Sequence, residues 1–393
     1  MARSRSSPRR TLALPFCLVL IGCGSETPWV CEVPEPEGPV VRVSAEEVAE
    51  VERWGAVELW SAGGLEAGGA QLMMPTSARV RADGTLAVAD FASGDVWLLD
   101  REGRWMEPVA GRGEGPGELL SPLATAWTSA GELLALDASQ SRVERFDLES
   151  GASETLRLPP DLLGPIFASG EVGWFGMRGD GTVFVELPSS ASEDATVTYV
   201  RAAPGDAERS VIWEAEYLEG PLPAYDRPTR PEWPRAALAV GVDRWAVAPR
   251  SDRYEVIVYG PRDEVDVHIC VSDRERFGPG GAGGEVDAGV RPAADGLPRS
   301  ETEALFSRIR LDHDGRLWIE RELPGLDSPS DRVHGVAGAH LDVVSPDGEL
   351  LARMQLPDGL RFQEARGDTL WAFRIGEFDE IEVVAARITR SAR

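Results

Sequence analysis

Two aspartates occupy matching places in this chain. Asp90 and Asp137 each end a short apolar run, LAVAD and LLALD, immediately before a polar turn. Between them lies a glycine-rich stretch, GRGEGPGELLSP, that carries Arg112, Glu114 and Glu118. Further on, Arg321 and Arg374 close comparable apolar runs. Carboxylates and guanidiniums gathered on one face could hold a zwitterionic or peptide ligand through charge-assisted hydrogen bonds. The plainer reading is that the aspartates accept turn amides while Arg112 and Glu114 tie neighbouring elements together, and turn-capping is what such side chains commonly do.

Other chemistries find fewer residues. GRGEGPG lacks the Lys-Ser/Thr ending of a phosphate loop, and no helical pattern follows it. The four histidines, His268, His313, His334 and His340, show no metal-ligand spacing. No nucleophile-elbow motif accompanies any serine. All 40 basic residues are arginine and there is no asparagine, which removes a Schiff-base lysine and an Asn metal ligand or oxyanion donor. No catalytic set and no metal set is assigned, and no cofactor is expected. Calcium held by carboxylates and carbonyls stays open as an alternative without a residue pattern behind it. Most of the twelve tryptophans, Trp245, Trp318 and Trp371 among them, fall where core packing explains them.

The first residues carry an address. MARSRSSPRR is a basic start, TLALPFCLVLI is an apolar run too short to span a bilayer, and Leu20-Ile21-Gly22-Cys23 follows. This segment resembles the lipobox of bacterial lipoproteins. The resemblance implies a signal peptide over 1–22, acylation of Cys23 and, with Gly24 rather than Asp behind it, attachment to the outer membrane. Residues 23–55 read as a Pro/Glu-rich spacer, with a helical turn or irregular cap over 45–54. Outside the cytoplasm Cys31 and Cys270 could pair, which would clip the N-terminal arm onto the strand VDVHICV. The net charge of −26 argues against nucleic acid and against anionic lipid headgroups, so the membrane enters only through the anchor.

The elements that must position these residues form a repeat. Six segments share a strand, a polar tight turn and a second apolar strand: 78–90, 124–137, 174–186, 236–248, 307–320 and 361–373. Asp-Gly or Gly-Asp at several of the turns supplies the positive φ that a tight hairpin needs. Pro75, Pro122 and Pro234 keep one phase ahead of the second strands at Leu86, Leu133 and Trp245. The spacing suits propeller blades of roughly 40–50 residues, with insertions at 204–234 and 274–299. The sixth copy ends too early to supply its own outer strand, and AVELWSA (56–62) would fill that place. The expectation is an all-β, six-bladed β-propeller over 56–393 with an N-terminal strand closing the last blade.

LALDASQSRVERFD resembles an NHL-type repeat, and GRGEGPGELLSP resembles the interblade crossing of a family of bacterial six-bladed β-propeller lipoproteins. The resemblance implies a lipid-anchored extracytoplasmic binding or scaffold module whose loop face meets a protein, peptide or glycan. Its oligomeric state is open, and an enzyme is the less favoured reading. The alternative is a metal-dependent hydrolase or lyase of the NHL/gluconolactonase-like propeller type, drawing on Asp90, Asp137 and Glu364.

Overall fold

All six strand–turn–strand segments fold as antiparallel hairpins in the computed structural model. The structure describes residues 39–43, 51–64, 71–163, 174–187, 196–216, 236–249, 254–271, 306–321, 338–376 and 380–390. The leader, Cys23, Cys31 and His334 lie outside the described residues. Every regular element among the described residues is a strand.

Two strands come first, β1 (Val40–Val43) and β2 (Glu52–Gly63). The sheet β3 (Pro75–Val80), β4 (Leu86–Asp90) and β5 (Asp95–Leu99) follows. Next comes β6 (Pro122–Trp127), β7 (Leu133–Asp137), β8 (Arg142–Asp147) and β9 (Ala152–Arg157). A third sheet holds β10 (Phe175–Met177), β11 (Val183–Leu187), β12 (Thr196–Ala202) and β13 (Ser210–Glu216). The fourth contains β14 (Ala237–Val240), β15 (Trp245–Ala248), β16 (Glu255–Tyr259) and β17 (Val265–Val271). The last strands are β18 (Phe306–Leu311), β19 (Leu317–Arg321), β20 (His340–Val344) and β21 (Leu350–Gln355), then β22 (Leu360–Arg366), β23 (Thr369–Ile375) and β24 (Ile381–Arg390).

Hydrogen bonding groups these strands into five sheets. The largest has eight strands and joins two antiparallel meanders through β2. Along most of its length β2 runs antiparallel to β24, from Trp54 opposite Arg390 to Gly63 opposite Glu382. Its first three residues also pair in parallel with Ala352–Met354 of β21. Part of the stretch expected to form a helical turn or cap is therefore strand, and Trp54 is buried against Trp318 and Met354. The spacer also contributes β1, which lies parallel to β17 with Arg42 opposite Cys270. The expected insertion after Pro204 contributes β13, the edge strand of the third sheet.

The strands are stacked radially, as in a β-propeller. The first strands of successive hairpins lie side by side in the order β3, β6, β10, β14, β18, β22, and β22 returns to β3. The core lies in the wedges between successive sheets rather than in one central mass. Ala87, Val96 and Leu98 meet Trp127, Leu133 and Phe146 in one wedge. In another, Ala78, Val80 and Val88 meet Trp371, Phe373 and Ala385 and so join the first hairpin to the last. Second strands are covered on both faces, which explains why LAVAD and LLALD are continuous apolar runs rather than alternating ones. Each fully buried Leu or Val in such a wedge stabilises the fold by roughly 1.5–3 kcal/mol.

Candidate functional site

Asp90 and Asp137 are both fully buried, at 0% exposure. Asp90 accepts the backbone N–H groups of Met73 (2.7 Å) and Met74 (2.8 Å), and that of Ala92 (3.2 Å). Asp137 accepts those of Leu120 and Ser121, both at 3.2 Å. In both cases the donors lie 17 and 16 residues upstream. The proline phase now has its reason. Pro75 and Pro122 open the first strands and have no N–H, so the aspartate at the end of the second strand collects the two amides just before each proline. Both carboxylates are occupied by the backbone and offer no face to a ligand.

The crossing between the first two hairpins is held by a residue that sequence reasoning passed over. Arg142, at the start of β8, is buried. Its guanidinium donates to the carbonyl oxygens of Glu114 (3.1 Å) and Glu118 (2.6 Å). The same group ion-pairs with Asp137 (3.3 Å) and Glu144 (3.2 Å). Glu144 in turn accepts the Thr155 hydroxyl at 2.6 Å and the Gly117 N–H at 3.4 Å. Backbone bonds Gly113 N–H to Leu119 O and Leu119 N–H to Gly111 O, both 3.0 Å, close the loop on itself. Gly94 turns beside it at φ +82°, where a Cβ would stand 3.1 Å from Arg112 Cγ. The available signal was a charged pair, Arg142 and Glu144, inside RVERFD, a strand otherwise sandwiched between sheets.

Arg112, Glu114 and Glu118 remain exposed on the outside of this pinned loop. The Arg112 guanidinium donates to the Ala92 carbonyl at 3.4 Å, and Glu118 accepts the Gly115 N–H at 2.8 Å. Arg321 and Arg374 belong to other sheets and are committed there. Arg321 lies 3.8 Å from Asp342, a buried carboxylate that also takes the Tyr254 hydroxyl and Arg353. Arg374 binds Glu382 and Glu58, each at 2.7 Å, which ties β23 to β24 and β2.

The inner strands enclose a second candidate place, a cavity of about 40 Å³ lined by Thr76, Ser77, Arg79, Thr125 and Arg310 among apolar neighbours. Glu364 stands beside it. One carboxylate oxygen takes Arg79 Nη1 at 3.0 Å, and the other takes the N–H groups of His313 (2.9 Å) and Ala365 (3.1 Å). Burial pushes the Glu364 carboxyl up to about 7, with Arg79 opposing and Asp312 adding to the rise. Asp90, Asp137 and Glu364 thus have separate partners and do not converge on one point, as a hydrolase built on these three would require. The described residues do bring Glu255, His268 and Cys270 together, with His268 Nε2 2.8 Å from Glu255 and 3.4 Å from Cys270 Sγ. Cys270 is disulfide-bonded, so its sulfur is no thiolate ligand, and two side chains are too few for a metal cage.

No protein-family model matches the chain, and no curated protein matches it in sequence. Among solved structures it is similar to a member of the DUF4221 family from Bacteroides vulgatus, at 10% identity and a TM-score of 0.50, covering 88% of this chain and 100% of that one. It is also similar to a protein designated as exported from Bacteroides fragilis, at 10% identity and a TM-score of 0.48, covering 90% and 99%. A gluconolactonase from Xanthomonas campestris aligns at 14% identity and a TM-score of 0.40, covering 80% and 87%. At these identities the likeness concerns fold alone, and the fold is that of a β-propeller.

Proposed function

We propose that this chain is a lipid-anchored, extracytoplasmic binding module that presents the crossing between its first two blades to a peptide, protein or glycan. In this reading the propeller has six blades, and the eight-stranded sheet counts as two that β2 fastens together. The closed order of first strands and the two separate meanders in that sheet support the count. The lipobox-like LIGC supports acylation at Cys23, and Gly24 behind it, in place of Asp, supports an outer-membrane address.

One observation carries the binding reading: a buried arginine is devoted to holding a surface loop. Arg142 binds two loop carbonyls from beneath and leaves the Arg112, Glu114 and Glu118 side chains outside. A loop ordered in advance loses less conformational entropy when a partner docks. The mixed charges suit a zwitterionic surface better than a polyanion, in line with the acidic whole.

The test is affinity capture from detergent-solubilised envelope with wild type, an Arg112→Ala/Glu114→Ala double variant and an Arg101→Ala/Glu102→Ala control. The control removes the same pair of charge types from another exposed turn. The expected result is an envelope component enriched by wild type and the control and lost from the double variant. Equal enrichment by all three, or by none, would overturn the reading.

A further inference from the structure

Arg310 is the least expected side chain in the central cavity. It lies on β18 in the sequence FSRIRL, where Ile309 and Leu311 enter the wedge towards β14–β17. The alternate residues, Arg308 and Arg310, are turned the other way. Arg310 lines the cavity, yet its guanidinium makes no hydrogen bond or ion pair with any described residue. Burial, with Arg308 and Arg79 nearby, pushes it down to about 10. Arg310 is half-buried, and a cation partly withdrawn from water without a protein partner is costly to keep.

The surroundings have one sign of charge to spare. Among the described residues, Arg308 and Arg79 act on Arg310 and Arg308 acts on Arg361, with Glu320 and Glu364 opposing. This local excess of cations sits inside a chain of net charge −26. Arg79 is already committed to Glu364 and to the Val240 carbonyl. Arg310 is not. The same cavity is lined by Ser77 and Thr125, whose hydroxyls lie 3.1 Å apart. That single contact uses one of their two hydroxyl protons and leaves the other to point at an acceptor. About 40 Å³ is room for a few waters or one compact anion.

We propose that the central cavity is a binding site for a small oxyanion, with Arg310 as its charged contact and the Ser77–Thr125 pair as hydroxyl donor. The shared chemistry is a compact group with two or more acceptor oxygens, which a guanidinium can meet with two parallel N–H bonds. Inorganic phosphate, sulfate and the carboxylate of a small acid all have it. The site is separate from the crossing face, so either proposal can fail without the other.

The experiment is calorimetric titration of the detergent-solubilised full chain with phosphate, sulfate and acetate in separate arms at constant ionic strength. Wild type, Arg310→Gln and Arg101→Gln are compared, the last as an exposed arginine whose loss changes net charge equally. Saturable binding of at least one anion is expected, weakened about tenfold or more by Arg310→Gln and unchanged by Arg101→Gln. The arm that binds identifies the oxyanion class. No saturable binding by wild type in any arm, or equal weakening by both variants, overturns the proposal. So does undiminished affinity in Arg310→Gln. If circular dichroism shows Arg310→Gln unfolded, Ser77→Ala/Thr125→Val takes its place, and unchanged affinity in that double variant overturns the proposal as well.

Discussion

Arg79 Nη2 donates to the backbone carbonyl of Val240 at 3.0 Å, although the two residues are 161 positions apart and lie on inner strands that are not neighbours in the ring. Its Nη1 meanwhile holds Glu364, on the inner strand beside its own. One guanidinium therefore spans the middle of the ring and links three of its first strands. A polar tie crosses the middle of the ring there.

The Glu364 end of this tie makes stability depend on pH. Its carboxyl titrates near 7 when folded and near 4.5 when unfolded, so the native state holds the extra proton between those values. The contribution is complete below about 4.5 and is lost as pH rises through about 7. Urea unfolding at pH 5 and pH 8 should show wild type losing up to roughly 3 kcal/mol more than Glu364→Gln over that interval. Parallel losses in the two proteins would contradict this.

Asp137 should matter more than Asp90. Both removals leave buried amides unpaired, but Asp137→Ala also takes a counter-charge from buried Arg142. The expected cost is about 1–3 kcal/mol for Asp90→Ala and about 3–5 kcal/mol for Asp137→Ala by denaturant unfolding. An equal or reversed order would remove Arg142 from its central place.

Limited trypsin digestion reads the crossing loop through Arg112, an exposed cleavage site on a pinned backbone. Wild type should resist cutting after Arg112, whereas Arg142→Met, folded by circular dichroism, should be cut there at least about tenfold faster. Matching rates would mean that Arg142 does not restrain the loop.

Cys270 is disulfide-bonded, and β1 brings the N-terminal chain to the strand that carries it. We propose Cys31 as the partner. Non-reducing peptide mapping should join the Asp263–Arg274 peptide to the one containing Cys31, and Cys31→Ala should leave Cys270 open to alkylation. A bridge to any other cysteine would refute the pairing.

The hairpins were legible because each is local: a turn with Gly or Asp between two apolar runs, in step with a proline whose role the aspartate latch now explains. The place of β2 was legible from a shortage, since the last meander lacked an outer strand. Other features left no local trace. VVRV pairs in parallel with a strand more than two hundred residues away, and nothing in its Pro-rich surroundings marks it as a strand. Arg79 and Glu364 are 285 residues apart, and only the closed ring joins them. Arg142 left a fainter trace, the charged pair it makes with Glu144 in a strand sandwiched between sheets, and nothing local in that pair points to the crossing loop it holds.

Whether the crossing is a built surface or a slack connection is measured directly by amide hydrogen exchange. The amides of Gly113, Gly115, Gly117, Glu118 and Leu119 are all hydrogen-bonded, two of them to carboxylates. Peptides spanning 111–121 should exchange over minutes to hours, close to those of β7, and should lose that protection in Arg142→Met. Exchange within seconds in the wild-type protein, at the rate of an open chain, would contradict the account.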